Sequence, residues 1–297
     1  PPLRHRTSGP VGVAFAGPDR LVVAGRRGTL ALLTLDAQHT VAAEDTLARP
    51  AAGPFTILRA AVRSGGPLVV AGGADGSVGF GTDGSPKTWR AASGRHPGAV
   101  TAAAIAPDAM LVLRGNVLFV KDAMLVATAG QDGSVRLWDP RSGEPAGSGA
   151  WRHDARVTSL AWSADGSLLV SCGLDGIRMW DPVSGAPVGP VRSGGGVGFV
   201  AAAVGPTVLV VADTRGRLWT WTDGVRALAG PFVVPPPRSA AAPARAAEGV
   251  LLVHEQSWVM QGLALGELLH SVSLAPGEIT QIAVTSHTRS ILQRSVD

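Results

Sequence analysis

Short apolar runs separated by Asp-Gly and Ser-Gly pairs set the rhythm of this chain. In one stretch Val157 to Trp162 is followed by Asp165-Gly166, Leu168 to Ser171, Asp175-Gly176 and Ile177 to Trp180. Apolar and β-branched runs of this length, bounded by such turns, predict antiparallel strands joined as hairpins. No window carries a sustained helical period, so almost no helix is expected. The unit recurs. Taking the turn glycine as a marker, Gly28, Gly76, Gly133, Gly176 and Gly216 are separated by 48, 57, 43 and 40 residues, and Gln256 holds the corresponding place 40 residues further on.

The long step has a local cause. Asp108-Ala109-Met110-Leu111-Val112 returns as Asp122-Ala123-Met124-Leu125-Val126, and removal of residues 109–122 leaves a step of 43. Within this insertion Leu111-Val112-Leu113 and Val117-Leu118-Phe119-Val120 flank Arg114-Gly115-Asn116, which predicts a hairpin in the third unit.

Two units end alike. Ala127-Thr128-Ala129-Gly130-Gln131-Asp132-Gly133-Ser134-Val135-Arg136-Leu137-Trp138-Asp139 is followed by Ser171-Cys172-Gly173-Leu174-Asp175-Gly176-Ile177-Arg178-Met179-Trp180-Asp181. These Trp-Asp endings and their spacing resemble the WD-repeat family of β-propellers. The resemblance implies an all-β fold of four-stranded antiparallel blades stacked around an axis, because a single blade cannot bury both of its faces. Residues 1–297 are read as one such domain, with residues 109–122 as a hairpin inserted in blade three. Six units are reached by Gln256. Ile279 to Thr285 is expected to open another unit with Ser290 to Gln293 as its second strand, and Pro2 to Arg6 to supply its outer strand. The expectation is seven blades, the last incomplete, with six as the alternative.

A histidine, a hydroxyl and an aspartate recur at matched spacing: His96, Thr128 and Asp132 in the third unit, His153, Ser171 and Asp175 in the fourth. Once the insertion is discounted, both histidines precede their aspartates by 22 residues. A hydrolase would need a nucleophile on a strained turn and an oxyanion site, and neither Thr128 nor Ser171 lies in a Gly-x-Ser-x-Gly elbow. Two copies also fit a single active site poorly. In the family these positions, with Trp138 and Trp180, form buried structural tetrads, so no catalytic residue is assigned. The fourth unit is one residue shorter between Asp175 and Trp180, so its turn or indole placement should differ. The aspartate position is Arg27 in the first unit and Arg215 in the fifth, which keeps Trp221, while the second has Asp75 but Gly81 in place of the tryptophan.

Composition narrows the function classes. The formal net charge is +4 and the pI about 10.4, yet the cations are nearly all scattered arginines, with no stripe to track phosphates. No run is long enough to span a membrane, and no signal-peptide core opens the chain. The single cysteine, Cys172, excludes an internal disulfide and is read as a small core residue. No ligand spacing for zinc or calcium occurs, so neither metal nor cofactor is expected. The bias toward Ala, Gly, Val, Pro and Arg, with no tyrosine, fits a GC-rich bacterial genome.

The resemblance therefore implies a cytoplasmic, non-catalytic scaffold that binds a protein partner or another domain of its own polypeptide, without nucleic acid or membrane. It is read as a piece of a larger protein, with a sensor or regulatory role in bacterial signalling. The candidate docking face carries Arg95, Gln131, Arg152, Asp154, Arg156, Leu174, Thr214 and Arg215. Leu113, Val117 and Phe119 are candidate contacts of the insertion, which either docks a partner or folds back on its own blade. The alternative is an enzyme or small-ligand binder using the central channel, although the inner strands, such as Thr101 to Ile105, are nearly free of charge.

Overall fold

The computed structural model of the chain describes residues 10–17, 19–25, 28–36, 41–48, 53–63, 66–82, 88–107, 110–114, 117–121, 124–147, 151–204, 208–215, 217–222, 227–233, 248–254, 257–264, 267–273 and 279–285. Of these, residues 10, 11, 47, 48, 208 and 218 and those within 110–121 and 220–285 are described by their backbone alone.

The described residues form a β-propeller without α-helix. Blade one is β1 (Pro10–Gly17), β2 (Arg20–Gly25), β3 (Leu30–Leu35) and β4 (Val41–Ala48). Blade two is β5 (Phe55–Arg63), β6 (Gly66–Gly73), β7 (Val78–Gly81) and β8 (Arg90–Ala91). Blade three begins with β9 (Val100–Ile105). After it comes a separate ribbon, β10 (Met110–Arg114) and β11 (Val117–Lys121), and then β12 (Val126–Gly130), β13 (Ser134–Trp138) and β14 (Trp151–Arg152), which complete the blade. Blade four has β15 (Val157–Trp162), β16 (Leu169–Gly173) and β17 (Gly176–Trp180). Blade five is β18 (Phe199–Val204), β19 (Val208–Asp213), β20 (Arg217–Thr222) and β21 (Ala227–Val233). The sixth sheet comprises β22 (Glu248–His254), β23 (Ser257–Ala264), β24 (Glu267–Ser273) and β25 (Ile279–Thr285).

Two features differ from expectation. Blade four is three-stranded among the described residues. Its fourth strand is reduced to single bridges, Ile177 to Arg192 and Trp180 to Pro187. The chain there reads Pro187-Val188-Gly189-Pro190, and a proline cannot donate to a ladder, so continuous pairing stops. The second difference concerns Ile279–Thr285. Rather than opening a seventh unit, β25 pairs with β22 and lies beside β18, filling the innermost place of the sixth sheet. The chain just before β22 contains Pro235-Pro236-Pro237 and Pro243 and is poorly suited to supply that strand. The other strands expected for a last unit, Pro2–Arg6 and Ser290–Gln293, lie outside the described residues.

The innermost strands follow one another around the axis, β1 beside β5, then β9, β15, β18 and β25. The second strands of blades three and four, β12 and β16, lie between neighbouring blades, so they are buried at every position and read as runs of small or apolar residues. The core lies between blades. One cluster joins Leu68, Val70 and Phe80 of blade two to Val100, Val126 and Trp138 of blade three. Another joins Cys172, Ile177 and Met179 of blade four to Phe199, Val211 and Trp219 of blade five. Side chains also stitch the inner strands. Thr56 Oγ1 donates to Val100 O at 2.6 Å, Thr158 Oγ1 to Phe199 O at 2.5 Å, and Arg63 Nη1 to Ala106 O at 2.9 Å.

The inserted ribbon lies between the first and second strands of blade three, in register from Met110 opposite Lys121 to Arg114 opposite Val117. Ala106 N donates to Leu125 O at its neck, at 2.9 Å. The side chains of Leu113, Val117 and Phe119 lie outside the described residues.

Candidate functional site

In blade three the structure brings His96, Thr128, Asp132 and Trp138 together, with one residue more. Trp138 Nε1 donates to Thr128 Oγ1 at 2.7 Å, and His96 Nε2 lies 2.8 Å from the same oxygen. On the other side of the ring, His96 Nδ1 is 2.8 Å from Ser134 Oγ, which donates to Asp132 Oδ1 at 2.8 Å. Asp132 itself is 3.8 Å from His96 Nδ1. One proton arrangement satisfies every group: indole to threonine, threonine to Nε2, Nδ1–H to serine, serine to carboxylate. Burial, reinforced by the nearby Arg136 charge, lowers the His96 pKa to about 4, so the ring is neutral.

Blade four forms the shorter version. His153 Nδ1 meets Asp175 Oδ1 directly at 2.7 Å, its Nε2 lies 2.7 Å from Ser171 Oγ, and Trp180 Nε1 donates to Ser171 Oγ at 2.8 Å. Asp175 also accepts from Asp154 N at 3.0 Å and from Arg178 Nη2 at 3.1 Å. Burial opposes ionisation of Asp175, but the hydrogen bonds from His153 and Asp154 N outweigh it and hold its pKa below the usual carboxylate value. Burial also lowers the His153 pKa, against the pull of Asp175.

The indoles of the two blades reach their hydroxyls equally, so the missing residue is absorbed in the turn. Blade three turns through Gln131-Asp132-Gly133, with Gly133 at φ 83°, whereas Gly173 pairs directly with Gly176, at φ 141°, across Leu174-Asp175. Without a residue at the Ser134 place, the carboxylate touches the imidazole. Ser171 is fully buried and its oxygen already serves indole and imidazole, so this histidine–serine–aspartate array presents no nucleophile to a substrate. Cys172 is also fully buried, and burial raises its thiol pKa far above the ordinary value.

Blade five departs from the sequence-based expectation. Its carboxylate comes two residues before Arg215. Asp213 is 1% exposed and accepts from Arg217 Nε at 2.7 Å, Trp219 Nε1 at 3.0 Å, and Arg217 N and Arg215 N at 2.9 Å each. Burial alone would raise its pKa; these donors lower it. In ladder register Asp213 opposes Phe199 as Gly130 opposes Val100 and Gly173 opposes Val157. A side chain at Gly130 or Gly173 would strike the neighbouring aspartate and histidine. Blade five has an arginine at the usual aspartate position, which leaves this room for Asp213. The indole is that of Trp219; the side chain of Trp221 lies outside the described residues. Blade two, with Gly81 where a tryptophan would stand, lays the ring of Trp89 over Gly79 and Gly81 instead. A carboxylate ending the apolar run Val208 to Ala212 was the available signal for Asp213. For Ser134, it was a hydroxyl directly after the turn glycine.

Above these anchors the loops form a belt. His96 N bonds Gly76 O, Gln131 N bonds Ala99 O, His153 N bonds Gly133 O, Leu174 N bonds Arg156 O, and Thr214 N bonds Gly198 O. Arg95, Gln131, Arg152, Asp154, Arg156, Leu174, Thr214 and Arg215 are all exposed along it. Leu174 is 49% exposed. Asp154 is held by Arg178 at 2.8 Å. Arg95, Arg152, Arg156 and Arg215 form no ion pair with a described residue.

Residues 92–139 and 150–181, which span the two histidine-centred anchors, match the family model described as WD domain, G-beta repeat. The two segments are similar to WD40 repeats. The chain is similar to a chain of a solved structure titled Crystal Structure of Mitotic Checkpoint Complex, with a TM-score of 0.64 and 15% identity over 91% of this chain and 81% of that one. At that identity the similarity is one of fold. The computationally designed Ika4 protein matches 57% of this chain and 91% of its own at 24% identity, with a TM-score of 0.43. No curated protein matches the chain.

Proposed function

We propose that this WD40-type propeller is a non-catalytic interaction scaffold whose loop-bearing face docks a protein partner or a neighbouring domain of the same polypeptide. The observation that carries the reading is the exposed belt from Arg95 to Arg215. Four arginines that form no ion pair with a described residue share this face with the half-exposed Leu174, on loops pinned by backbone hydrogen bonds. Arginine and an apolar anchor on a rigid support are the components of an interface centre, because little conformational freedom is lost on binding. In this reading the anchors around His96 and His153 are structural and hold the belt in place. The β10–β11 ribbon, with Leu113, Val117 and Phe119, is a second docking edge. The broader setting is a regulatory or sensor domain of a larger bacterial signalling protein in the cytoplasm, acting without nucleic acid or membrane.

The test is a paired reversal, Arg156→Glu with Arg215→Glu, compared with Arg141→Glu, an exposed residue of the turn after β13. Proteins retained by the immobilised wild-type chain should lose at least tenfold in affinity to the paired variant and bind the Arg141→Glu variant normally, at equal melting temperatures. Equal binding to all three would overturn the reading.

A further inference from the structure

The inner strands β1, β5, β9, β15 and β18 wall a central cavity of about 400 Å³. Among its described lining residues one is charged, Arg59 of β5. The hydroxyls of the lining are committed to the protein. Thr158 Oγ1 donates to backbone carbonyls of blades four and five, Thr101 Oγ1 to Ala129 O at 3.2 Å, and Ser159 Oγ accepts from Ala202 N at 3.1 Å. Arg59 is different. Its one hydrogen bond among the described residues runs from Nη1 to the carbonyl of its own neighbour Leu58, at 3.0 Å, and no described carboxylate pairs with it.

A guanidinium carries five N–H donors, and partly burying one without an anion, as here, leaves donors unsatisfied by protein. Burial already lowers the Arg59 pKa from its ordinary value. The same cavity is lined by Val13 and Phe15, which are 58% and 66% exposed on β1. The cavity thus offers one fork-shaped cation beside an uncovered aromatic ring and an aliphatic side chain. We propose that it binds a small organic monocarboxylate, its carboxylate on Arg59 and its apolar body against Phe15 and Val13. A guanidinium matches a carboxylate through two parallel hydrogen bonds. Inorganic phosphate, with more charge and more acceptor oxygens, would find one cation and hydroxyls already engaged.

Thermal unfolding against ligand concentration tests the site. Sodium benzoate and sodium hexanoate should raise the melting temperature saturably, whereas benzamide, inorganic phosphate and sodium chloride at equal ionic strength should not. Arg59→Gln should abolish the shift, and Phe15→Ala, a change at an exposed residue, should weaken benzoate at least fivefold. In the absence of organic anions Arg59→Met should melt at or above the wild-type temperature. A wild-type shift shared by benzamide or phosphate, no shift at all, or an undiminished shift in Arg59→Gln would each overturn the proposal. So would a lower melting temperature of anion-free Arg59→Met, which would make Arg59 a structural residue.

Discussion

Ser134 Oγ stands between His96 and Asp132, 2.8 Å from each, whereas His153 meets Asp175 directly at 2.7 Å. Blades three and four therefore satisfy one buried imidazole in two ways. Where the turn contains an extra residue, a hydroxyl relays the carboxylate; where it does not, the carboxylate makes the contact itself.

The two aspartates should consequently differ in worth. Asp175→Ala removes the acceptor of a buried imidazole N–H and of Asp154 N, and should cost about 1–3 kcal/mol, the range for stranding buried donors. Asp132→Ala leaves Ser134 in contact with His96 and should cost roughly half as much or less. Chemical denaturation of both variants measures the difference. Equal losses would mean that the serine relay contributes nothing.

Acid should act through the histidines. The folded-state pKa of His96 is lowered to about 4, that of His153 is also lowered, and an unfolded histidine titrates near 6.5. Between pH 6.5 and about 4 the unfolded chain binds more protons than the folded one, so stability is fully present above 6.5 and declines as pH falls through this window. The hydrogen-bonded carboxyls of Asp75, Asp165, Asp175, Asp181 and Asp213 are held below the ordinary carboxylate value. A denaturation series from pH 7 to 4 should fall for the wild type, and the double substitution His96→Gln with His153→Gln should flatten the slope. An undiminished slope would refute the assignment.

Asp213 should be the most sensitive single position of blade five. Asp213→Ala leaves the Trp219 indole, the half-buried Arg217 cation and two backbone N–H groups without their acceptor, and breaking such a pair costs about 3–5 kcal/mol. Asp213→Asn keeps an acceptor oxygen and should lose less. Unfolding monitored by Trp219 fluorescence, with the other tryptophans replaced singly as controls, would show it. Equal losses in the two variants would mean that the charge, and not the acceptor oxygen, carries the stabilisation.

The WD40 character was legible in Trp138-Asp139 and Trp180-Asp181 because a tryptophan at a fixed distance from a turn glycine survives as a pattern. Ser134 was missed because a serine after a glycine is commonplace, and its value depends on whether the carboxylate stands 3.8 Å or 2.7 Å from the imidazole. Asp213 was missed because alignment by turn position assigned the role to Arg215, although burial depends on where a side chain points in the ladder. The sixth sheet was misread for another reason. Periodicity gives the order of strands along the chain, and β25 takes its place by pairing with a strand that precedes it by two others.

Thr56 and Thr158 each reach from one inner strand to the backbone of the next. Each bond crosses a boundary between repeats, so it belongs to neither blade alone and disappears when either one opens. In a linear array of repeats such boundary energies set how many units must melt at once. For this chain they tie blade two to blade three and blade four to blade five, and the Trp162 indole, donating to Ala104 O, ties blade three to blade four, so blades two to five should open together rather than one at a time.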